Sequence, residues 1–338
     1  MFITRSIVDF KKTRSEWWHQ KLTVALVPTM GALHEGHLSL IKTAQTLADC
    51  VAVSVFVNPT QFGPNEDFER YPRALEDDLP LLRENKVDAV FLPEVSAIYP
   101  PGYKTLVTVQ DLGEKLCGVS RPTHFRGVAT VVLKLFNLVQ PHVAVFGQKD
   151  AQQTIIIRRM TRDLNLEVDI VVCPIVREAD GLALSSRNRY LNTEERQAAT
   201  LLYRCLEYAK QAAALGENRA SVLLREIRQR IAAEPLARLD YAEIVDLQEL
   251  SPVELITEEV LLALAVFIGK TRLIDNVLLN PSASRQSSGA GLGCFSTAPP
   301  SLHHPGEAPT QSEARVSTFF LREFEALRKH FSRGSYIL

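Results

Sequence analysis

Two periods organise the apolar residues of this chain. Short β-rich runs, Val24–Val27, Val51–Val57, Ala89–Leu92, Val143–Phe146 and Glu167–Val172, predict buried strands. Apolar residues at helical spacing predict helices over Gly36–Leu47, Ala74–Glu84, Gly127–Val139 and Ala151–Leu164. Strands and helices alternating at this length imply βαβ units, hence an α/β fold with a doubly wound parallel sheet. Ligands of such sheets bind beyond the carboxyl ends of the strands. The conspicuous polar clusters in this half follow strand-like runs, consistent with one shared site.

After Ser186 the texture changes. Thr193 to Ala214 predicts one long helix capped by Thr193 ahead of Glu194 and Glu195, and Ala220 to Ala233 predicts a second. Tyr241–Val245, Val260–Val266 and Arg272–Val277 predict the strands of a small α+β domain. The expected division is 1–176 for the parallel-sheet domain and 177–280 for a small C-terminal domain able to act as a lid. Residues 281–316, rich in Ser, Pro, Gly and Ala, predict a disordered linker. Phe320, Phe324, Leu327 and Phe331 then recur at helical spacing, which predicts an amphipathic helical tail within 317–338.

At 338 residues the chain can bury two sizeable cores. Its 46% apolar and 23% charged residues are those of an ordinary globular protein. A net charge of −1 supplies no electrostatic footprint for nucleic acid or anionic lipid. Five scattered cysteines without a CxxC pair argue against a disulfide framework or zinc site and fit a reducing cytosol. No apolar signal segment opens the chain, and its longest apolar stretch, Val260 to Ile268, is too short to span a bilayer. The expectation is a cytoplasmic protein without nucleic-acid or membrane partners.

Four clusters carry candidate chemistry. Pro28 to His37 sets His34 and His37 three residues apart around Gly36, between a strand and a helix start, where backbone N–H groups and the helix dipole can hold phosphate. Asn58 and Gln61, after the second strand, supply neutral donors and acceptors for a small polar substrate; an Asn-Pro turn is the plainer alternative. Gly147-Gln148-Lys149-Asp150, with Gln152 and Gln153 beyond it, offers a lysine point charge for phosphate and a carboxylate for a ribose hydroxyl or metal-bound water. Helix capping by Asp150 is its alternative, and the segment is no Walker A loop. Leu184-Ser185-Ser186-Arg187-Asn188 places two hydroxyls beside a guanidinium, able to neutralise charge on departing pyrophosphate.

Taken in order, these clusters together with His124-Phe125-Arg126-Gly127 and Thr271-Arg272-Leu273-Ile274-Asp275-Asn276 resemble the pantothenate synthetase (pantoate–β-alanine ligase) family, over about residues 1 to 279. The resemblance implies a Rossmann-like nucleotidyltransferase domain of the HxGH type, a small C-terminal domain and a homodimer. It implies ATP-dependent condensation of pantoate with β-alanine through pantoyl adenylate, releasing pyrophosphate and then AMP. Another HxGH nucleotidyltransferase and a non-catalytic nucleotide-binding scaffold are the competing readings.

Carried over by position, the resemblance assigns ATP to Met30, Gly31, Ala32, Leu33, His34, Glu35, Gly36 and His37, with His37 as proton donor. Gly147, Gln148, Lys149, Asp150, Val176, Leu184, Ser185, Ser186 and Arg187 complete the ATP site, Lys149 and Arg187 being the phosphate cations. Gln61 and Gln153 take pantoate, Gln61 also lies near β-alanine, and Asn58 and Arg121 support them. Mg²⁺ accompanies ATP, held by phosphates and water rather than a protein cage. Members usually end near residue 280, and some carry a fused cytidylate kinase. Gly289-Ala290-Gly291-Leu292-Gly293 lacks the lysine of a phosphate loop, so one activity is expected here.

Overall fold

A computed structural model describes residues 1–64 and 66–281. The linker and tail expected after Pro281 lie outside them. Six parallel strands form the first sheet: β1 (Phe2–Thr4), β2 (Val24–Thr29), β3 (Cys50–Val55), β4 (Ala89–Phe91), β5 (Val143–Gly147) and β6 (Asp169–Cys173). Their order is β1-β4-β3-β2-β5-β6, so the chain leaves β2 toward one edge and returns to its other side at β5. The crevice between β2 and β5 is where such a sheet binds ligands.

Helices α1 (Ile7–His19), α2 (Glu35–Leu47), α3 (Leu75–Glu84), α4 (Val95–Ile98), α5 (Cys117–Ser120), α6 (His124–Val139) and α7 (Ala151–Asp163) connect these strands. Alternate strand residues face opposite layers. Val24 and Leu26 pack with Phe10 of α1 and with Val128, Leu135 and Phe136 of α6. Ala25 and Val27 pack with Leu38, Ile41 and Ala44 of α2 and Leu82 of α3. Both faces are covered, which is why the strand sequences read as continuous apolar runs.

The antiparallel meander β7 (Ala237–Val245), β8 (Val260–Ile268) and β9 (Thr271–Leu279) follows helices α8 (Thr193–Ala199), α9 (Leu201–Ala214) and α10 (Ala220–Ala232). Strand β8 is apolar on both sides for a reason. Leu262, Leu264 and Val266 pack on α9 and α10, whereas Leu261 and Ala263 join the core of the parallel-sheet half. Polar bonds bind the halves further. Ser120 donates to Asp240 at 2.8 Å, and Lys115 donates to Ser251 Oγ at 3.3 Å.

Two expectations are corrected here. The helix expected from Thr193 to Ala214 breaks at Thr200, whose hydroxyl takes the Gln197 carbonyl at 2.7 Å in place of continued helical bonding. Its N-cap is Asn192 rather than Thr193. Asn192 Oδ1 accepts the Glu195 N–H at 2.9 Å and Glu195 accepts the Asn192 N–H at 3.0 Å, a reciprocal box that needs a three-residue spacing. Strand β1 and helix α1 escape the apolar pattern, because β1 has three residues and α1 fully buries only Phe10.

Candidate active site

The β2–α2 junction is closed by side chains. Asp78 of α3, 1% exposed, accepts hydrogen bonds from Leu33 N–H at 2.7 Å and Ala32 N–H at 2.9 Å. Thr29 Oγ1 accepts the Gly31 N–H at 3.3 Å. Gly31 has φ +82°, and a Cβ there would meet Val55 Cγ1 at 3.0 Å and Asp78 Oδ2 at 3.1 Å. Only glycine fits this turn without strain.

The two histidines finish the junction. His34 is the N-cap of α2, its Nδ1 accepting the Gly36 N–H at 3.2 Å, while His37 Nδ1 accepts the His34 N–H at 3.3 Å. These bonds correct the expectation that the loop offers its backbone to an anion. The N–H groups of Gly31, Ala32, Leu33, His34 and Gly36 all have side-chain acceptors. What the loop presents instead follows from the tautomer. A neutral ring whose Nδ1 accepts carries its proton on Nε2, so each imidazole is an Nε2–H donor.

Charge agrees with this. Burial pushes His37 down to about 3, aided by His34 and Lys149. Burial pushes His34 down to about 4, aided by Lys149 and Arg189 and opposed by Asp150. The ring centroids lie 4.2 Å apart, and two adjacent cations there are disfavoured.

Across the switch point, β5 ends at Gly147 and a short 3₁₀ turn, Gln148–Asp150, leads into α7. Asn276 of β9 holds this turn, donating to the carbonyls of Gln148 at 2.9 Å and Lys149 at 3.0 Å. Asp150 makes no side-chain cap bond to α7, so the capping alternative fails. Lys149 Nζ lies 3.9 Å from Asp150 Oδ1, a loose contact that leaves its charge available to a ligand. Behind it both Gln152 and Gln153 line the cavity. The Gln152 amide is fixed by Cys117 N–H at 3.0 Å and by the Leu112 carbonyl at 2.9 Å, which leaves Gln153 as the one of the two available to a ligand.

Asn58 is fully buried and works through Gln61. Its Nδ2 donates to the Gly127 carbonyl at 3.1 Å and to Gln61 Oε1 at 3.0 Å, while its Oδ1 accepts Thr60 N–H at 3.3 Å and Tyr99 O–H at 3.0 Å. Because the Gly127 carbonyl can only accept, the amide orientation of Asn58 is set, and with it that of Gln61. The Gln61 Nε2 is left as the donor facing the cavity. Arg121 lies beside it, donating to the Gln61 carbonyl at 3.0 Å and through Nε to Glu66 at 2.9 Å. Both Asn58 and Arg121 therefore position Gln61.

The last wall is Leu184 to Asn188, kept in place by Leu184 N–H donating to the Val176 carbonyl at 3.0 Å. Ser185 Oγ accepts the Arg187 N–H at 3.3 Å, so its own proton is free to be donated. Ser186 Oγ meets Tyr71 Oη at 3.3 Å. Arg187 binds Asp67 through Nε at 3.0 Å and Nη2 at 2.9 Å, which turns Nη1 away from the pair. Burial opposes both charges, yet the bidentate bond prevails: Asp67 is held below its usual value and Arg187 above.

These walls enclose one cavity of about 980 Å³. It is lined by Met30, His34, Gly36, His37, Gln61, Arg121, Gly147, Lys149, Asp150, Gln153, Val176, Leu184, Ser185, Ser186 and Arg187. Gly31, Ala32, Leu33, Glu35, Asn58 and Gln148 lie off its surface. Sequence reasoning missed Asp78, Asp67, Glu66 and His124. Asp78 stands in the run Glu76-Asp77-Asp78, where nothing local distinguishes the buried carboxylate from its exposed neighbours. His124 was visible only as part of a motif.

Paired imidazoles at the switch point of a parallel sheet, with a lysine opposite and a Ser-Ser-Arg turn beside them, define a nucleotide-using α/β enzyme of the HxGH kind. The chain belongs to the pantoate–β-alanine ligase family, whose model matches residues 2–278. It is 59% identical over 257 residues to the pantothenate synthetase of Roseiflexus sp. (strain RS-1), covering 76% of this chain and 92% of that one. It is 53% identical over 279 residues to that of Thermosipho africanus, covering 82% of this chain and all of the relative. The crystal structure of pantothenate synthetase from Thermus thermophilus superposes with a TM-score of 0.79 at 44% identity, covering 83% of this chain and 100% of that one. A pantoate–β-alanine ligase from Francisella tularensis, complexed with β,γ ATP and β-alanine, gives 0.69 at 36% identity, covering 82% and 97%.

Proposed function

We propose that this cavity carries out both half-reactions of an ATP-dependent pantoate–β-alanine ligase. A pantoate carboxylate oxygen attacks the α-phosphorus of ATP and displaces pyrophosphate, forming pantoyl adenylate. The β-alanine nitrogen then attacks the activated acyl carbon, and AMP leaves with the electron pair of the broken C–O bond. Adenylation is needed because a carboxylate has no leaving group suited to attack by an amine.

His34 and His37 donate through Nε2 to phosphate oxygens, where charge grows as the pyrophosphate departs. Lys149 adds a point charge, Arg187 contributes its free Nη1, and the Ser185 hydroxyl donates alongside. Gln61 Nε2 and Gln153 hold pantoate. The assignment of Met30, Gly36, Gly147, Asp150, Val176, Leu184 and Ser186 to the ATP site is supported by their place on the same wall. Gly31, Ala32, Leu33, Glu35 and Gln148 serve that site through backbone placement, since they lie off the cavity surface.

Mg²⁺ belongs to the same proposal. Among the described residues no cluster of three or more His, Cys, Asp or Glu could hold a metal ion, so the ion would travel with the phosphates and water. The half-exposed Asp150 carboxylate on the cavity wall would bind one of its waters. When bound, the ion would neutralise phosphate charge. A cytoplasmic location and a homodimer complete the proposal; the four cysteines among the described residues are free thiols, and no described helix could cross a membrane.

The observation that carries this reading is the pair of tautomer-fixed imidazoles facing one cavity with Lys149 and Gln61. Incubation with ATP, Mg²⁺ and pantoate should give pantoyl adenylate and pyrophosphate, and later addition of β-alanine should release pantothenate and AMP. Pyrophosphate release that is independent of pantoate would refute it.

A further inference from the structure

Three imidazoles line the cavity, and they do not present the same atom. His34 and His37 accept through Nδ1 and offer Nε2–H. His124, the first residue of α6, does the reverse. Its Nδ1 lies 2.9 Å from the Gln61 carbonyl, which can only accept, so Nδ1 carries the proton. Nε2 is therefore a lone pair, and among the described residues it has no hydrogen-bond partner in the structure. A neutral, fixed acceptor has been placed beside Gln61 in a cavity where the other two imidazoles donate.

The ligase reading leaves one chemical need unmet by His34, His37, Lys149 and Arg187. As the β-alanine nitrogen bonds to the acyl carbon it becomes positively charged and must lose a proton. Cations and Nε2–H donors cannot take it. We infer that His124 Nε2 orients the β-alanine amine through an N–H···N bond and accepts its proton during amide formation.

The step balances. One proton of the β-alanine ammonium passes to bulk water before attack. The free amine forms the C–N bond, its second proton moves to Nε2, and the acyl C–O bond breaks so that AMP leaves with that electron pair. The imidazolium then returns its proton to water. The charges around His124 suit a transient rather than a resting cation. Burial and Arg121 hold it down to about 3, Arg187 adding to this, while the Gln61 carbonyl and Asp150 pull upward. Glu66 partly neutralises Arg121. An adenylate phosphate in the cavity adds negative charge, which raises the imidazole further.

The inference rests on the ligase reading, and pantoate-dependent ATP–pyrophosphate exchange by the wild type separates the two: without exchange, the ligase reading itself fails. H124N keeps an N–H for the Gln61 carbonyl but has no atom at the Nε2 position. It should lower single-turnover transfer of preformed pantoyl adenylate to β-alanine about 100-fold more than it lowers exchange, in the range of general-base effects. Hydroxylamine, whose nitrogen becomes far more acidic on bonding and gives its proton to water, should lose much less. H124Q, with an oxygen near the Nε2 position that hydrogen-bonds but is hardly basic, should remain slow with β-alanine. Equal losses for β-alanine, hydroxylamine and exchange would make His124 a support for Gln61 and overturn the inference. Unaltered β-alanine transfer, or loss of the fold in both variants, would overturn it as well.

Discussion

The His37 ring accepts the backbone N–H of His34 at 3.3 Å, so one imidazole both caps a helix and faces the cavity. The two roles use different nitrogens and can be separated. His37→Asn retains an acceptor for the cap but deletes Nε2–H. It should melt near the wild type while kcat falls by about 10²–10³, the usual loss for one donor to developing charge. His37→Ala removes both, and should lose about 1 kcal/mol of stability in addition, as for a deleted helix cap. Calorimetry and steady-state kinetics on both variants check this. If the asparagine variant turned over at the wild-type rate, His37 would be a cap alone.

The low values of His34, His37 and His124 make stability depend on pH with a definite sign. Each ring binds a proton near pH 6.5 when unfolded, but near 4, 3 and 3 when folded. Between these values the unfolded chain holds more protons, so acid favours unfolding. The stabilisation from neutral imidazoles is complete above about pH 6.5 and is lost as pH falls toward 3. Asp78, pushed up by burial, acts in the opposite direction near the carboxylate range. The unfolding free energy from urea titration should be level from pH 7 to 8 and decline below 6.5, by at most about 1.4 kcal/mol per pH unit for each imidazole, the midpoint falling with it. His37→Asn should give a shallower decline. A midpoint that rose on acidification to pH 5 would contradict the buried neutral rings.

Much of this architecture was legible from the letters. Buried parallel strands announce themselves as apolar runs, and the β2, β5 and Leu184 clusters fall where strands or turns end, so their convergence on one crevice follows from the topology. Roles were less legible. Asn58 and Arg121 carry polar groups suited to a substrate, yet Asn58 turns inward and Arg121, though on the cavity wall, is committed to Glu66 and the Gln61 carbonyl, because Gly127 and Glu66 reach them from distant segments. The backbone N–H groups of Ala32 and Leu33 read as free for an anion until Asp78 arrives from 45 residues away. Partners across the sheet decide which polar atoms remain available, and local spacing carries no record of them.

Gly127 tests the packing that aims Gln61. Helix α6 crosses the 3₁₀ turn Pro59–Gln61 so closely that a Cβ at Gly127 would stand 2.2 Å from the Thr60 carbonyl oxygen and 2.9 Å from Gln61 N. Intrinsic helix propensity favours Gly127→Ala by about 1 kcal/mol. Overpacking usually costs about 1–3 kcal/mol, and here the obstacle is backbone that cannot rotate aside, so overpacking should win. The displaced turn carries Asn58 and Gln61 with it, because Asn58 Nδ2 bonds the Gly127 carbonyl. The variant should therefore melt several degrees lower and show a raised KM for pantoate, with KM for ATP much less affected. Calorimetry with paired substrate titrations measures both. A variant that melts higher and binds pantoate normally would show that the turn yields freely, and that Gln61 is not held by this contact.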